Sequence, residues 1–304
     1  MLKNSLSILS LIISSSAYSA LQLEAVHPIE NSEQLNLSGL AICNGNLLTI
    51  SDKISNKLFQ IDHKSNTYSI NAIRTITIPE NKTTKYKFPN KFIYWVYSVL
   101  DNDNYDWEGI ACDENNIYLI SERHSKILSV GENKIEWINI NTFKIEISGL
   151  LDSFGAFIEG ITLDDNNFYL ALEREPRGIV SIDRATFNKY NVVSYDNHIN
   201  NSTRPDDAAG LSMWNDTLYM VSRNKEEICH VEKTSLSIIN CFSYKEAIKR
   251  IEYESDKFGV VEGLTITDDY IYLIIDNNGM SIKGTVATPQ ACANSIDNAS
   301  ISGI

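Results

Sequence analysis

Five stretches of this chain are variants of one phrase: LSGLAICNGNLLTISDK at 37–53, WEGIACDENNIYLISER at 107–123, IEGITLDDNNFYLALER at 158–174, AAGLSMWNDTLYMVSRN at 208–224 and VEGLTITDDYIYLIIDN at 261–277. Each is built around a glycine, Gly39, Gly109, Gly160, Gly210 and Gly263, at intervals of 70, 51, 50 and 53 residues. That is the period of a propeller blade and too long for most helical or leucine-rich repeats. Within a copy, a short apolar strand, a polar turn such as Asn44-Gly45 or Asn215-Asp216, and a second strand of alternating aromatic and aliphatic residues spell a β-hairpin. Nine residues after the glycine stand Leu48, Tyr118, Tyr169, Tyr219 and Tyr272, a size-matched set expected where sheets pack face to face around an axis.

Weaker strand patterns follow the copies: 57–62 with 68–77, 126–130 with 135–140, 178–183 with 190–194, and 227–233 with 237–242. They read as the outer, wetter strands of four-stranded blades. The last copy keeps only a short tail strand at 280–286, while a spare strand at 21–27 precedes the first copy. The prediction is an all-β propeller of five four-stranded blades, six being the alternative, with the N-terminal strand completing the last blade and closing the ring. The surplus in the long first interval, 79–104, reads as a loop insertion on one rim. Residues 20–286 then form a single domain and 287–304 a C-terminal tail.

Residues 1–19 have the form of a secretory signal peptide: Lys3, an apolar run from Leu6 to Ile13, and a small-residue exit at Ala17-Tyr18-Ser19. The run is too short to anchor in a bilayer, and no later segment is long enough to span one, so an exported protein, periplasmic or secreted and of bacterial type, is expected. The whole chain carries a formal charge of −13, and without the leader's lysine −14. Such a field disfavours nucleic acid and anionic membranes as partners. Of the five cysteines, Cys229 and Cys241 fall on neighbouring outer strands and are the expected disulfide; Cys43 and Cys112 read as packed thiols. A monomer is expected.

Two polar columns recur at fixed distance from the glycines. Before the glycine stand Ser38, Glu108, Glu159, Ala209 and Glu262; thirteen after it stand Asp52, Glu122, Glu173, Arg223 and Asp276. The residue entering a hairpin and the residue leaving it lie at the same end, so both columns should crowd one face near the channel. Seven carboxylates so placed repel one another unless protonated, paired with arginine, or bridged by a hard divalent cation. Glu108, Glu159, Glu262, Asp207, Asp276 and Asp52 are therefore candidate metal ligands, with calcium the fitting ion because oxygen donors dominate and no His/Cys cluster indicates zinc. Asp206 and Asp207 stand where the fourth copy lacks its glutamate, and Asp106 lies just upstream in the second. The next column, Lys53, Arg123, Arg174, Asn224 and Asn277, sets cations beside the acids together with Arg223. Glu122 and Glu173 are candidate general bases, and Arg123, Arg174 and Arg223 candidate groups for an anionic or ester substrate. The structural alternative is a set of salt bridges tying blades together. His124, the only histidine near the columns, reads as a surface residue or a base.

WEGIACDENNIYLISER, IEGITLDDNNFYLALERE and VEGLTITDDYIYLIIDNNG resemble the phytase-like family described as "esterase-like activity of phytase", which is close to the SdiA-regulated exported propellers of bacteria. The resemblance covers about residues 21–286 and rests on the Glu-Gly-Ile/Leu opening and the Glu-Arg close. It implies an exported β-propeller with calcium on the channel face and hydrolysis of phosphate esters or other esters. The Glu-Gly opening is also similar to that of gluconolactonase-type propellers, which implies Glu108, Glu159 and Glu262 as metal ligands and lactones as a substrate class. Of the Asp-Asp-Pro-Ala signature of alkaline propeller phytases, only Asp206-Asp207-Ala208-Ala209 is present. A binding or scaffold propeller of the cell envelope with structural calcium is the alternative function.

Overall fold

A computed structural model describes residues 22–32, 35–64, 67–80, 105–141, 145, 158–173, 177–195, 207–245, 260–276 and 290–295. Every element whose bounds are described is a strand: β1 (Gln22–Glu30), β2 (Leu37–Cys43), β3 (Asn46–Ser51), β4 (Lys57–Lys64), β5 (Thr67–Thr75), β6 (Trp107–Cys112), β7 (Asn116–Ser121), β8 (Lys126–Gly131), β9 (Ile135–Ile138), β10 (Ile158–Leu163), β11 (Asn167–Leu172), β12 (Gly178–Asp183), β13 (Tyr190–Ser194), β14 (Leu211–Trp214), β15 (Thr217–Ser222), β16 (Glu227–Val231), β17 (Ile238–Ser243), β18 (Val260–Ile266), β19 (Tyr270–Asp276) and β20 (Gln290–Ser295). They build three four-stranded sheets, β6 to β9, β10 to β13 and β14 to β17, and one eight-stranded sheet in the order β18-β19-β20-β1-β5-β4-β3-β2. The arrangement is a β-propeller. The opening strands of the five hairpins, β2, β6, β10, β14 and β18, pack one against the next, and β18 returns to β2.

The turns follow from their residues. Asn44 and Gly45 (φ 50° and 77°), like Asn215 and Asp216 (45° and 63°), take the left-handed pair that a two-residue hairpin turn requires. In the second and third hairpins an aspartate does the work instead: Asp113 Oδ1 accepts from the N–H groups of Asn115 and Asn116, and Asp164 Oδ1 from those of Asn166 and Asn167. The tyrosine column then does more than pack. Tyr118 and Tyr169 donate their hydroxyls to Asp113 and Asp164 at 2.8 and 2.9 Å, and the next sheet pins the same aspartates with Arg184 and Lys233 respectively. These cation–Asp–Tyr clusters tie successive sheets at the rim opposite the polar columns.

The core lies between sheets. Ile50, Leu58 and Ile76 face Trp107, Leu119 and Leu128; Ile120 and Ile127 face Phe168, Leu170 and Val180; Ala171 and Ile179 face Leu218 and Met220; Val221 and Ile228 face Leu273 and Ile275. A last cluster joins Ile274 to Ile29, Leu37, Leu40 and Phe59, which closes the circle. Each such aliphatic or aromatic side chain contributes roughly 1.5–3 kcal/mol when fully buried.

The repeated glycines owe their place to the axis. A Cβ on Gly39 would lie 2.9 Å from Ile110 N, on Gly109 2.8 Å from Ile161 N, on Gly160 2.2 Å from Ala209 O, on Gly210 2.8 Å from Glu262 O, and on Gly263 2.7 Å from Gly39 C. Backbone thus meets backbone all the way round, and the axial cavity among these glycines measures about 10 Å³.

The expected disulfide is present: Cys229 and Cys241 face each other across β16 and β17 and are bonded. Other expectations change. Cys43 and Cys112, expected as packed thiols, are also a disulfide, because the close axial approach of β2 and β6 brings their Cα atoms to 5.8 Å. The strand next to β19 is Gln290–Ser295, inside the stretch read as a C-terminal tail. The tail strand at 280–286 and the leader at 1–19 lie outside the described residues, as does 81–104 of the insertion.

Candidate functional site

A register defect aims the glutamates. Trp107 pairs with Ser121 and Gly109 with Ile120, leaving Glu108 as the extra residue of a β-bulge. Glu159 is skipped in the same way between Ile158 and Gly160, and Glu262 between Val261 and Gly263. A bulged residue leaves the alternation of the pleat, and bulges beside functional sites commonly re-aim side chains. Here three hairpins use the device at one address. In the first hairpin the shift falls at Gly39, next to Ser38, and in the fourth Ala209 precedes the strand.

The second column sits just past the partner strands. The Asp52 and Glu122 N–H groups donate to the carbonyls of Asn36 and Asp106, both left-handed (φ 44° and 53°). At the equivalent place in the fourth hairpin the Asp207 side chain accepts from Arg223 N at 2.6 Å and from its Nε at 2.9 Å. Asp207, read with Asp206 as standing in for the missing glutamate, here takes the acceptor place that the Asn36 and Asp106 carbonyls hold in the first two hairpins, and Asp206 lies outside the described residues.

Arg223 is the hub. Besides Asp207, its Nη1 lies 2.6 Å from Glu262 Oε2 and 3.8 Å from Glu159 Oε2, and its Nη2 lies 2.5 Å from Glu173 Oε1. Three sheets therefore meet on one guanidinium that is only 9% exposed. Burial alone would push Arg223 down, but Glu262, Glu159, Glu173 and Asp207 hold it well above its ordinary value, so it is a permanent charge.

The carboxylates form a continuous belt. Oxygens of Asp106, Glu108 and Glu122 lie within 4.8 Å of one another, as do those of Glu108, Glu159 and Glu262, and those of Glu122, Glu159 and Glu173. Burial raises Glu108 well above the usual carboxylate range, with Glu122, Glu262, Asp106 and Asp52 adding repulsion. Glu159 is raised by burial and by Glu122 and Glu108, against the pull of Arg223. Asp52 is raised by burial and by repulsion from Asp106, in spite of Lys53, whose Nζ lies 2.8 Å from Oδ2, and of a side-chain hydrogen bond from Asn36. All donors in the belt are oxygens, the set a hard cation takes.

The structure thus brings together Glu108, Glu122, Glu159, Glu173, Glu262, Asp207, Asp52 and Arg223. Arg123 directly follows Glu122 and is half-buried. Asp276 ends β19 at the same address, its side chain outside the described part, and Arg174 lies outside it altogether. His124, read as a surface residue, is instead buried, its ring 5.2 Å from that of Tyr105 and 6.1 Å from that of Trp137. Burial, with Lys126 and Arg123 nearby, lowers it to about 4, so it is neutral near pH 7 and only a weak base. Sequence reasoning missed the serine twelve residues after the glycine: Ser51 and Ser121 donate to the carbonyls of Leu35 and Tyr105 and fix the entry to their hairpins. Its recurrence as Ser51, Ser121 and Ser222 was the available signal.

The family model described as SdiA-regulated matches residues 98–279. Among solved structures, the chain is similar to the glutaminyl cyclase of Myxococcus xanthus, with 9% identity, TM-score 0.55, and coverage of 90% of this chain and 97% of that one. It is also similar to a streptogramin B lyase, with 13% identity, TM-score 0.48 and coverage of 93% and 100%. The PQQ-bound aldose sugar dehydrogenase of Streptomyces coelicolor is similar at 9% identity, TM-score 0.46 and coverage of 89% and 98%. At 9% identity the likeness to the glutaminyl cyclase is one of fold. No curated protein matches. No helix among the described residues is long and apolar enough to cross a membrane.

Proposed function

The chain belongs to the SdiA-regulated family, and on that premise we propose an exported, monomeric propeller that holds a divalent cation, calcium by the chemistry of its donors, on the carboxylate face of the channel. The observation that carries this reading is the clustering of Glu108, Glu159 and Glu262, placed by three equivalent bulges with oxygens within 4.8 Å of one another. Two disulfides agree with an oxidising compartment, periplasmic or extracellular, and with a cleaved leader at 1–19. The eight-stranded sheet is taken as two blades, which makes five; support comes from the five axial glycines and from the antiparallel pairing of β1 with β20, set against only two parallel pairs between β1 and β5.

A bound calcium would supply Lewis acidity to a substrate oxygen and a more acidic water. The reaction class is hydrolysis of esters, lactones or phosphate esters. Glu122 is assigned the role of base, and Arg123 and Arg174 that of receiving an anionic substrate group, Arg174 on its sequence position alone. Glu173 and Arg223 are committed to each other, so the roles of base and anion receptor do not fall to them. That commitment also favours a second reading, a cell-envelope binding propeller in which calcium is structural. A phytase-like substrate is the less favoured member of the hydrolytic class, since Arg223 is occupied by carboxylates.

Calcium titration followed by thermal melting, on wild type and on Glu108→Gln with Glu159→Gln, tests the cation: binding to the folded state alone must raise the melting temperature. A flat wild-type response ends the cation reading. Turnover of aryl esters, lactones and aryl phosphates that disappears with chelator separates the hydrolase from the binding protein.

A further inference from the structure

The turn face, opposite the carboxylates, carries a groove that the proposed reaction does not use. It lies between the sheets β6 to β9 and β10 to β13 and measures about 700 Å³, inside the range of roughly 300–1,000 Å³ that small-ligand sites occupy. Tyr118 and Phe168 line it, with the Arg184 guanidinium 5.6 and 5.1 Å from their ring centroids. The next boundary shows what closing such a groove takes. Arg184 and Lys233 hold the same place in consecutive sheets, and three residues after them stand Phe187 and Leu236, both left-handed (φ 53° and 57°), whose N–H groups donate to Asp183 and Glu232. That conformation is costly for a bulky side chain. Leu236 offsets the cost by complete burial in the core between the third and fourth sheets. Phe187 is only half-buried: its ring stacks on Phe168, centroids 6.2 Å apart, and lines the open groove. Ser129, in the same lining, is only 9% exposed, yet its hydroxyl makes no hydrogen bond among the described residues. A hydroxyl so placed is normally paired, and leaving it unpaired is unfavourable.

The lining selects the kind of occupant. Its one cation is already engaged: Arg184 Nη1 donates to the Asp164 carbonyl at 2.8 Å, and Nη2 to Asp113 and to the Tyr118 hydroxyl. Glu136 and Asp165 add negative charge to the walls, so a phosphate or carboxylate ligand meets repulsion with no free partner. A ligand rich in hydroxyls suits every group present. Ser129 and the Asn139 amide both donate and accept, and the two carboxylates accept from hydroxyls. The C–H face of a pyranose ring, weakly positive, complements the negative face of an aromatic ring such as Phe187. We propose that this groove is a saccharide-binding site for oligosaccharides without acidic groups, held by Ser129, Asn139, Glu136 and Asp165 and packed against Phe187. It is independent of the cation reading, since none of these residues belongs to the carboxylate belt.

Calorimetric titration of the full chain with cellotriose, maltotriose and tri-N-acetylchitotriose, and with trigalacturonate as the acidic probe, tests it. At least one of the three neutral trisaccharides is expected to bind with a Kd of about 1 mM or below. Trigalacturonate should bind at least about tenfold more weakly, and excess EDTA should leave the neutral affinity unchanged. Ser129→Ala and Asp165→Asn are each expected to weaken binding about fivefold, the worth of one hydrogen bond. Phe187→Asn, which removes the ring but keeps a residue that tolerates the left-handed backbone, should weaken it about threefold or more. If Phe187→Asn fails to fold, the other two variants, one an oxygen deletion in a strand and one an exposed turn exchange, decide. Failure of all three neutral sugars to bind overturns the proposal, as does trigalacturonate binding equally well. Neutral binding that survives both Ser129→Ala and Asp165→Asn unchanged places the sugar elsewhere and also overturns it. Neutral binding abolished by EDTA assigns the sugar to the carboxylate face instead, which overturns this site and leaves the cation reading standing.

Discussion

Gly160 and Ala209 meet backbone to backbone at the propeller axis: a Cβ on Gly160 would stand 2.2 Å from the Ala209 carbonyl oxygen. The neighbour is main chain in the adjacent sheet, so no side chain can turn aside. Gly160→Ala is expected to cost about 3 kcal/mol or more, at the upper end of overpacking effects. Gly45 offers the contrast, since its added Cβ meets nothing within 4 Å and only its φ of 77° is unfavourable; Gly45→Ala should cost about 1 kcal/mol. Urea unfolding of both variants checks the order, and equal costs would refute a tight axis.

Arg223 neutralises acids from three sheets. Arg223→Met leaves Glu159, Glu173, Asp207 and Glu262 facing one another in a buried place. Removing one partner of a buried ion pair costs about 3–5 kcal/mol, and a loss in that range is expected in denaturant titrations. Arg223→Lys should recover only part of it, because an ammonium cannot reproduce the fork between Asp207, Glu262 and Glu173.

His124 makes stability depend on pH. Its folded value of about 4 lies below the 6.5 of an exposed imidazole, so the unfolded chain takes up the proton first. The stabilisation is fully present above pH 6.5, falls as pH drops toward 4, and levels off below that. Over the window the loss should approach about 3 kcal/mol, at 1.36 kcal/mol per pH unit. His124→Phe should flatten that part of the stability–pH curve; an unchanged slope would assign it to other groups.

The two disulfides should differ in weight. Cys43–Cys112 spans 69 residues of sequence and Cys229–Cys241 only 12. If the links act mainly by restricting the unfolded chain, losing the first costs roughly 4 kcal/mol and losing the second roughly 3 kcal/mol. Unfolding of the paired Cys→Ser variants measures this, and a larger loss from the shorter link would contradict it.

Much of this was legible in the sequence because the hairpin repeats with fixed spacing. The glycine and tyrosine columns gave the axis and the inter-sheet packing, and the two polar columns gave the address of Glu108, Glu122, Glu159, Glu173 and Glu262. What stayed hidden depends on contacts between copies. Cys43 and Cys112 look like ordinary strand residues until two inner strands are seen side by side. Arg223 looks like one cation in a column of acids, yet it reaches carboxylates from three sheets. His124 was misplaced because its burial comes from Tyr105 and Trp137, neither of which its own strand pattern reveals. The bulges at the glutamates have no signature in a single hairpin; only the register of the paired strands exposes them.

The ring of glycine backbones leaves about 10 Å³ on the axis, near the least space that can hold one water molecule. The axis is therefore plugged by backbone and is not an open tube. A molecule held at the carboxylate face has no way along the axis to the opposite face among the described residues, and the two faces are separate surfaces.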